Sequence, residues 1–68
     1  MRTGMVYTET VIHLAAEAFA QEVPFQTAIV TLDGGGRVTG RILGERVAIG
    51  DRVAEVELRG GVPFFRKA

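Results

Sequence analysis

Alternating apolar and polar residues divide most of the chain into five strand-like runs separated by turn residues. The first run, Gly4 to Leu14, is rich in β-branched residues and carries apolar side chains on both faces, which is typical of a long strand shared between two halves of a curled sheet. Four shorter runs follow: Phe25 to Leu32, Arg37 to Leu43, Arg52 to Leu58 and Val62 to Lys67. The pattern predicts an all-β protein.

Glycine clusters predict the two hairpin turns. Asp33-Gly34-Gly35-Gly36 joins the second and third strands, and Arg59-Gly60-Gly61 joins the last two. A glycine run can also hold a phosphate, but such loops lead into a helix, whereas a strand follows here. The hairpin interpretation is therefore favoured.

The two remaining segments are connections. Ala15 to Glu22 is rich in alanine and glutamate and stops before Val23-Pro24, which predicts one or two helical turns or a compact loop. Gly44 to Gly50 is predicted to be a short link with Val47 and Ile49 turned inward, and Ile29, Val30 and Leu32 of the second strand are expected in the core.

Gly40, at the centre of the third strand, marks a tight bend or a bulge where the sheet curls enough to close. Together these features predict a single domain over residues 1–68. Its expected fold is a small five-stranded antiparallel Greek-key barrel of the OB-fold type, with the short helical or loop segment between strands 1 and 2. An SH3-like barrel is the alternative.

Size and composition narrow the function. A chain of 68 residues is near the lower limit for an independent core, so self-association or docking on another protein is expected. It contains no cysteine and one histidine, so no zinc or other metal site is predicted. Eight basic and eight acidic residues cancel, which argues against nucleic-acid binding because that usually requires surplus positive charge.

The chain carries no sign of membrane insertion or export. No apolar stretch approaches the roughly 20 residues of a transmembrane helix, and the start, Met1-Arg2-Thr3-Gly4, lacks an apolar signal core. A cytoplasmic protein is the expectation.

The third strand places two arginines on one face. Arg37, Thr39 and Arg41 alternate with apolar positions, so the two guanidinium groups could bind a phosphorylated ligand or an acidic partner. The structural alternative, which we favour, is a solvated face in which these arginines pair with Glu55 and Glu57 of a neighbouring strand.

Aromatic residues supply candidate contact groups. Adjacent Phe64 and Phe65 point to opposite faces, so one ring is expected outside the core. We predict that exposed Phe64 and loop residue Phe19 anchor a protein interface. Aromatic rings on an OB-fold can also stack on single-stranded nucleic acid, which remains an alternative.

Six short motifs resemble a known family, the OB-fold half of the acyl-CoA-associated proteins called domain of unknown function thirty-five. The resemblance runs from Gly4 to about Arg66. In chain order the motifs are Gly4-x-Val6-Tyr7-Thr8-x-Thr10-Val11-x-His13, Val23-Pro24-Phe25, Ala28-Ile29-Val30-x-Leu32-Asp33, Thr39-Gly40-Arg41-Ile42, Ile49-Gly50-x-x-Val53 and Val62-Pro63-x-Phe65-Arg66.

The resemblance implies an accessory role. Members of that family typically carry a four-cysteine zinc ribbon before the OB-fold and work beside thiolases, hydroxymethylglutaryl-CoA synthases or MaoC-like enoyl-CoA hydratases. This chain begins where the ribbon would end and lacks cysteine, so we expect no zinc. The expected partner is a thiolase or a MaoC-like hydratase, and acyl-CoA is the candidate ligand.

His13 closes the first predicted strand, where its imidazole could meet a phosphate, a pantetheine amide or a partner's carboxylate. A bond to local backbone is the structural alternative, which we favour. No second histidine, cysteine or suitably spaced serine forms a nucleophile and base pair, so an enzyme is not predicted. We expect a non-catalytic module, and His13, Arg37 and Arg41 are the candidate residues for contact with CoA. A nucleic-acid binder and a purely structural, self-associating barrel are the alternatives.

Overall fold

The computed structural model describes residues 1–12 and 25–68. Its strands are β1 (Thr3–Ile12), β2 (Phe25–Leu32), β3 (Arg37–Ile42), β4 (Arg52–Arg59) and β5 (Val62–Lys67). The sequence pattern predicted β2 and β5 with these bounds, and β3 and β4 to within one residue. The predicted helical or loop segment, Ala15 to Glu22, lies outside the described residues.

The strands form a closed barrel in the order β1-β2-β3-β5-β4. β1 pairs antiparallel with β2 along its length and with β4 near its start. β3 and β5 run parallel, with Arg41 beside Phe64 and Ile42 beside Phe65. β3 and β5 are therefore neighbours in the barrel, although β4 lies between them in the sequence. This strand order confirms the predicted OB-type barrel.

Inward-facing residues of every strand and one residue of the β3–β4 connection fill the barrel. The core cluster consists of Val6, Ala28, Val30, Ile42, Val47, Val53 and Phe65, with Leu32 and Val38 packed against it. Ile29 was predicted to join this core, which is wrong: in β2 the buried positions alternate, so Ile29 lies half-buried on the outer face with Thr27 and Thr31.

Gly40 allows two strands to approach closely. A Cβ atom at this position would lie 2.7 Å from the carbonyl oxygen of Pro63 and 2.8 Å from the Phe65 ring. The predicted bulge at Gly40 is wrong, because the register with β2 runs through Gly40 without a shift. The β-bulges lie between Val6 and Thr8 of β1 and between Glu55 and Glu57 of β4.

Both glycine turns form as predicted. Gly35 and Gly36 adopt φ of 107° and 82° between β2 and β3, and Gly60 and Gly61 adopt 57° and 83° between β4 and β5. These positive φ angles are accessible to glycine at little cost.

The β3–β4 connection places Val47 in the core but leaves Ile49 67% exposed, so the inward prediction for Ile49 is wrong. The cause is a tight turn from Ala48 to Asp51, in which the Asp51 amide donates to the Ala48 carbonyl at 3.0 Å and Gly50 has φ of 94°. Because the chain reverses here, strand-like alternation does not apply.

Candidate functional site

The outer face of the barrel carries two arginine–aromatic stacks, one at each end of β3. At the first, the Cζ atom of Arg37 lies 3.9 Å from the centre of the Tyr7 ring. The Nε of Arg37 also donates to the Thr31 hydroxyl at 3.3 Å. Strand alternation thus places Arg37 on the outer face as predicted, and two neighbours fix its orientation.

The second stack surrounds Phe64. The Cζ atom of Arg41 lies 4.1 Å from the centre of the Phe25 ring and 5.3 Å from that of the Phe64 ring. The Cζ atom of Arg59 lies 4.7 Å from the centre of the Phe64 ring. Phe64 therefore lies outside the barrel core, as strand alternation predicted. Its expected exposure is wrong, because neighbouring side chains leave only 3% of it accessible.

The two stacks are separate from each other. Arg37 and Arg41 are four residues apart on one strand, which corresponds to about 13 Å at the usual rise of a β-strand. The two guanidinium groups also stack on different rings, Arg37 on Tyr7 and Arg41 on Phe25 and Phe64. The structure therefore does not bring the two predicted CoA-contacting arginines together around one anion.

Glu55 and Glu57 have other partners than those expected. Glu55 is buried and accepts hydrogen bonds from Arg2 Nε and Nη2, both at 3.0 Å, which lower the pKa of its carboxyl. Glu57 accepts from Arg59 at 2.9 Å. The favoured pairing of these glutamates with Arg37 and Arg41 is therefore wrong, since register places Glu55 and Glu57 opposite β5.

The remaining predicted contact residues, His13 and Phe19, lie outside the described residues. Their proposed contacts with CoA and with a partner stay predictions.

A shallow cleft of about 600 Å³ opens beside the first stack. Its apolar lining includes Met5, Tyr7 and Ile49, which are 45%, 52% and 67% exposed. Sequence analysis missed Met5 and Ile49. The available signal was the Ile49-Gly50-Asp51 sequence, in which glycine favours a turn that directs the preceding side chain outward.

An ion pair borders this cleft. The two terminal nitrogens of Arg52, Nη1 and Nη2, donate to the Asp33 carboxylate at 2.9 and 2.5 Å, and the Thr3 hydroxyl donates to it at 2.6 Å. The Arg52 bonds, with a smaller effect from Thr3, lower the pKa of Asp33 to about 2. The two charges at this border therefore neutralise each other at neutral pH.

A second, smaller groove of about 200 Å³ crosses the outer face of β1, β2 and β3. Its lining consists mainly of hydroxyl side chains, those of Thr8, Thr10, Thr27 and Thr39, together with Ile29.

Within residues 1–12 and 25–68, no three histidine, cysteine or acidic side chains are grouped so as to hold a metal ion. The described part of the chain also lacks any helix with the length and apolar character needed to cross a bilayer.

Residues 1–62 match the family described as ChsH2, C-terminal OB-fold domain. The chain belongs to this family. Its barrel is also similar to a solved structure, the Ltp2-ChsH2(DUF35) aldolase, with a TM-score of 0.75 and 31% sequence identity over 97% of this chain. The resemblance drawn from the six sequence motifs is thereby confirmed.

A curated relative extends the comparison. The chain is 41% identical over 56 residues to a DUF35 domain-containing scaffold protein of Methanocaldococcus jannaschii. That match covers 78% of this chain and 40% of the relative, and the structural match covers 57% of the solved chain. The chain thus spans about half the length of these relatives.

Proposed function

We propose that this ChsH2-type domain is a non-catalytic accessory module that docks on an acyl-CoA-metabolising enzyme of the thiolase or enoyl-CoA hydratase type. The observation that carries the proposal is the likeness to the Ltp2-ChsH2(DUF35) aldolase, which covers 97% of the chain. A scaffold protein among the relatives supports the same role. The small size of the barrel gives a physical reason, since docking buries surface that a domain of 68 residues cannot bury internally.

The finer part of the proposal concerns the ligand. We propose that the docked module contributes to binding the CoA or pantetheine arm of the substrate. His13, Arg37 and Arg41 are the candidate contacts, and Phe19 and Phe64 were the candidate partner contacts. Because Arg37 and Arg41 are held on different rings at opposite ends of β3, a bound CoA would contact them through different groups. Phe64 would contribute by supporting Arg41 and Arg59 rather than by inserting into the partner.

The docking role is tested by native capture. The tagged chain is expressed in its source cells, and bound proteins are identified by mass spectrometry, with the tag alone as control. We expect enrichment of an acyl-CoA enzyme, and the purified pair should co-migrate in size-exclusion chromatography. Recovery of only the chain itself would favour the self-associating barrel and overturn the docking role.

The ligand role is tested separately by calorimetry. CoA is titrated into the enzyme alone and into the complex, and we expect tighter binding by the complex. Equal affinity would remove the CoA contact while leaving the docking role intact.

A titration with labelled homopolymeric oligonucleotides at low salt checks the nucleic-acid alternative, for which the zero net charge predicts no binding.

A further inference from the structure

Three large apolar side chains are exposed together in the larger cleft. Met5 and Tyr7 of β1 and Ile49 of the β3–β4 connection line the same cleft, and Arg37 stacks on Tyr7 at its border. We call these four residues the Tyr7 patch. Clustered exposed apolar groups of this kind mark interaction surfaces more often than isolated ones do.

The backbone holds the Tyr7 patch in place. Tyr7 is the extra residue of the β1 bulge, because Val6 pairs with Val30 while Thr8 pairs with Ile29. Bulges direct a side chain away from the regular alternation of a strand. Ile49 sits in the Ala48–Asp51 turn, which is tied to β1 by the Gly50 amide donating to the Val6 carbonyl at 2.9 Å.

Arg37 gives the patch its charge. The Tyr7 ring and the Thr31 hydroxyl hold its guanidinium group, and among the described residues no carboxylate pairs with it. The neighbouring Arg52 is neutralised by Asp33. A held guanidinium with exposed N–H groups loses little side-chain entropy on binding a carboxylate, so an acidic group is the complementary partner.

We infer that the Tyr7 patch is the surface through which the domain docks on its enzyme, with an apolar side chain of the enzyme between Met5 and Ile49 and an acidic side chain against Arg37. This inference rests on the proposed function and specifies its interface. It assigns Arg37 to the enzyme rather than to CoA, which leaves His13 and Arg41 as the candidate CoA contacts. The shallow shape favours a protein, since small-molecule sites usually bury most of their ligand. The residue types agree, because Tyr, Met and Arg are enriched at the centres of protein interfaces.

The test compares matched variants against the purified acyl-CoA enzyme recovered with the wild-type chain. Ile49→Asp places a charge in the patch, and Leu58→Asp places the same charge at a position on β4 with similar exposure, 63%. Arg37→Glu reverses the patch charge, and Arg46→Glu reverses an exposed arginine of the β3–β4 connection. Circular dichroism melts confirm that each variant is folded.

We expect Ile49→Asp and Arg37→Glu to weaken the Kd at least about tenfold, as for residues at an interface centre, and both controls to stay within about twofold. If the wild-type chain binds an acyl-CoA enzyme but patch variants and controls bind equally well, this inference fails and the proposed function stands. If Leu58→Asp is the more damaging variant, docking uses the β4–β5 hairpin and the inference is wrong. Absence of any such enzyme from the wild-type capture overturns both.

Discussion

Gln26 of β2 binds both backbone groups of Val47. The Val47 amide donates to Gln26 Oε1 and Gln26 Nε2 donates to the Val47 carbonyl, each at 2.8 Å. Gln26 Nε2 also donates to the Glu9 carboxylate at 2.9 Å. One buried amide therefore fixes the connection that carries Val47 into the core and Ile49 onto the surface.

Replacing Gln26 should destabilise the domain more than the size of this side chain suggests. In Gln26→Leu the buried amide and carbonyl of Val47 lose their partners, which costs about 1–3 kcal/mol for each unsatisfied group. We expect the free energy of unfolding, measured by urea denaturation, to fall by roughly 2–4 kcal/mol. The control Thr39→Ala, at an exposed strand position, should change it by less than about 1 kcal/mol. A Gln26→Leu variant as stable as the wild type would contradict this assignment.

Gly40 should not tolerate a methyl group. Its Cβ would overlap the Pro63 carbonyl and the Phe65 ring, so Gly40→Ala should lower the free energy of unfolding by about 1–3 kcal/mol, as overpacking does. Gly34→Ala is the matched control, because no atom lies within 4 Å of the new Cβ and its φ is not in the left-handed region. Equal melting temperatures for the two variants would mean that β3 and β5 are not in such close contact.

Asp33 should contribute to stability in a defined pH range. Hydrogen bonds from Arg52 and Thr3 lower its pKa in the folded protein to about 2, from a usual value of 3.8. The folded state therefore binds this proton less readily than the unfolded state, and the stabilisation is present above pH 3.8 and is lost as pH falls towards 2. A carbon NMR titration of the carboxyl should report the lowered pKa, and Arg52→Gln should raise it. Titration of wild-type Asp33 near its usual value would disprove the pairing.

Phe64 should contribute to the stability of the folded domain rather than directly to binding of the enzyme. Its ring is buried beneath Arg41 and Arg59, so Phe64→Leu should lower the free energy of unfolding by on the order of 1 kcal/mol through lost contacts and cation–π attraction. The folded variant should bind the enzyme with nearly the wild-type Kd, measured by calorimetry. A large loss of affinity at unchanged stability would instead restore Phe64 as an interface anchor.

Much of the fold followed from local sequence signals. Alternation and glycine turns located β2 and β5 because both strands are rich in β-branched or aromatic residues, and each adjoins a turn that contains glycines with positive φ. Gly40 was predicted to mark a bend or bulge, but the structure shows an unbroken register and a close approach of Pro63 and Phe65 at this position. The alternation of inward and outward positions in β2 contained a further signal that was not used. Gln26 shares the inward face with Ala28 and Val30, and a buried side-chain amide requires hydrogen-bond partners.

The site was less predictable because it depends on contacts between distant segments. Alternation placed Phe64 outside the core, but only the parallel β3–β5 pairing and the β4–β5 hairpin bring Arg41 and Arg59 over its ring. Ile49 was misplaced because a turn interrupts the alternation that begins at Val47. Arg37 was identified correctly as an outer-face cation, but its contact with Tyr7 requires the β1 bulge.

The most direct test of docking through the Tyr7 patch uses the fact that the chain contains a single tyrosine. Fluorotyrosine incorporation gives one fluorine NMR signal, at Tyr7, which is recorded while the purified acyl-CoA enzyme is added. We predict a saturable shift or broadening that follows complex formation and is absent for Ile49→Asp at the same concentrations. An unchanged signal in a sample where size-exclusion chromatography confirms the complex would contradict the account.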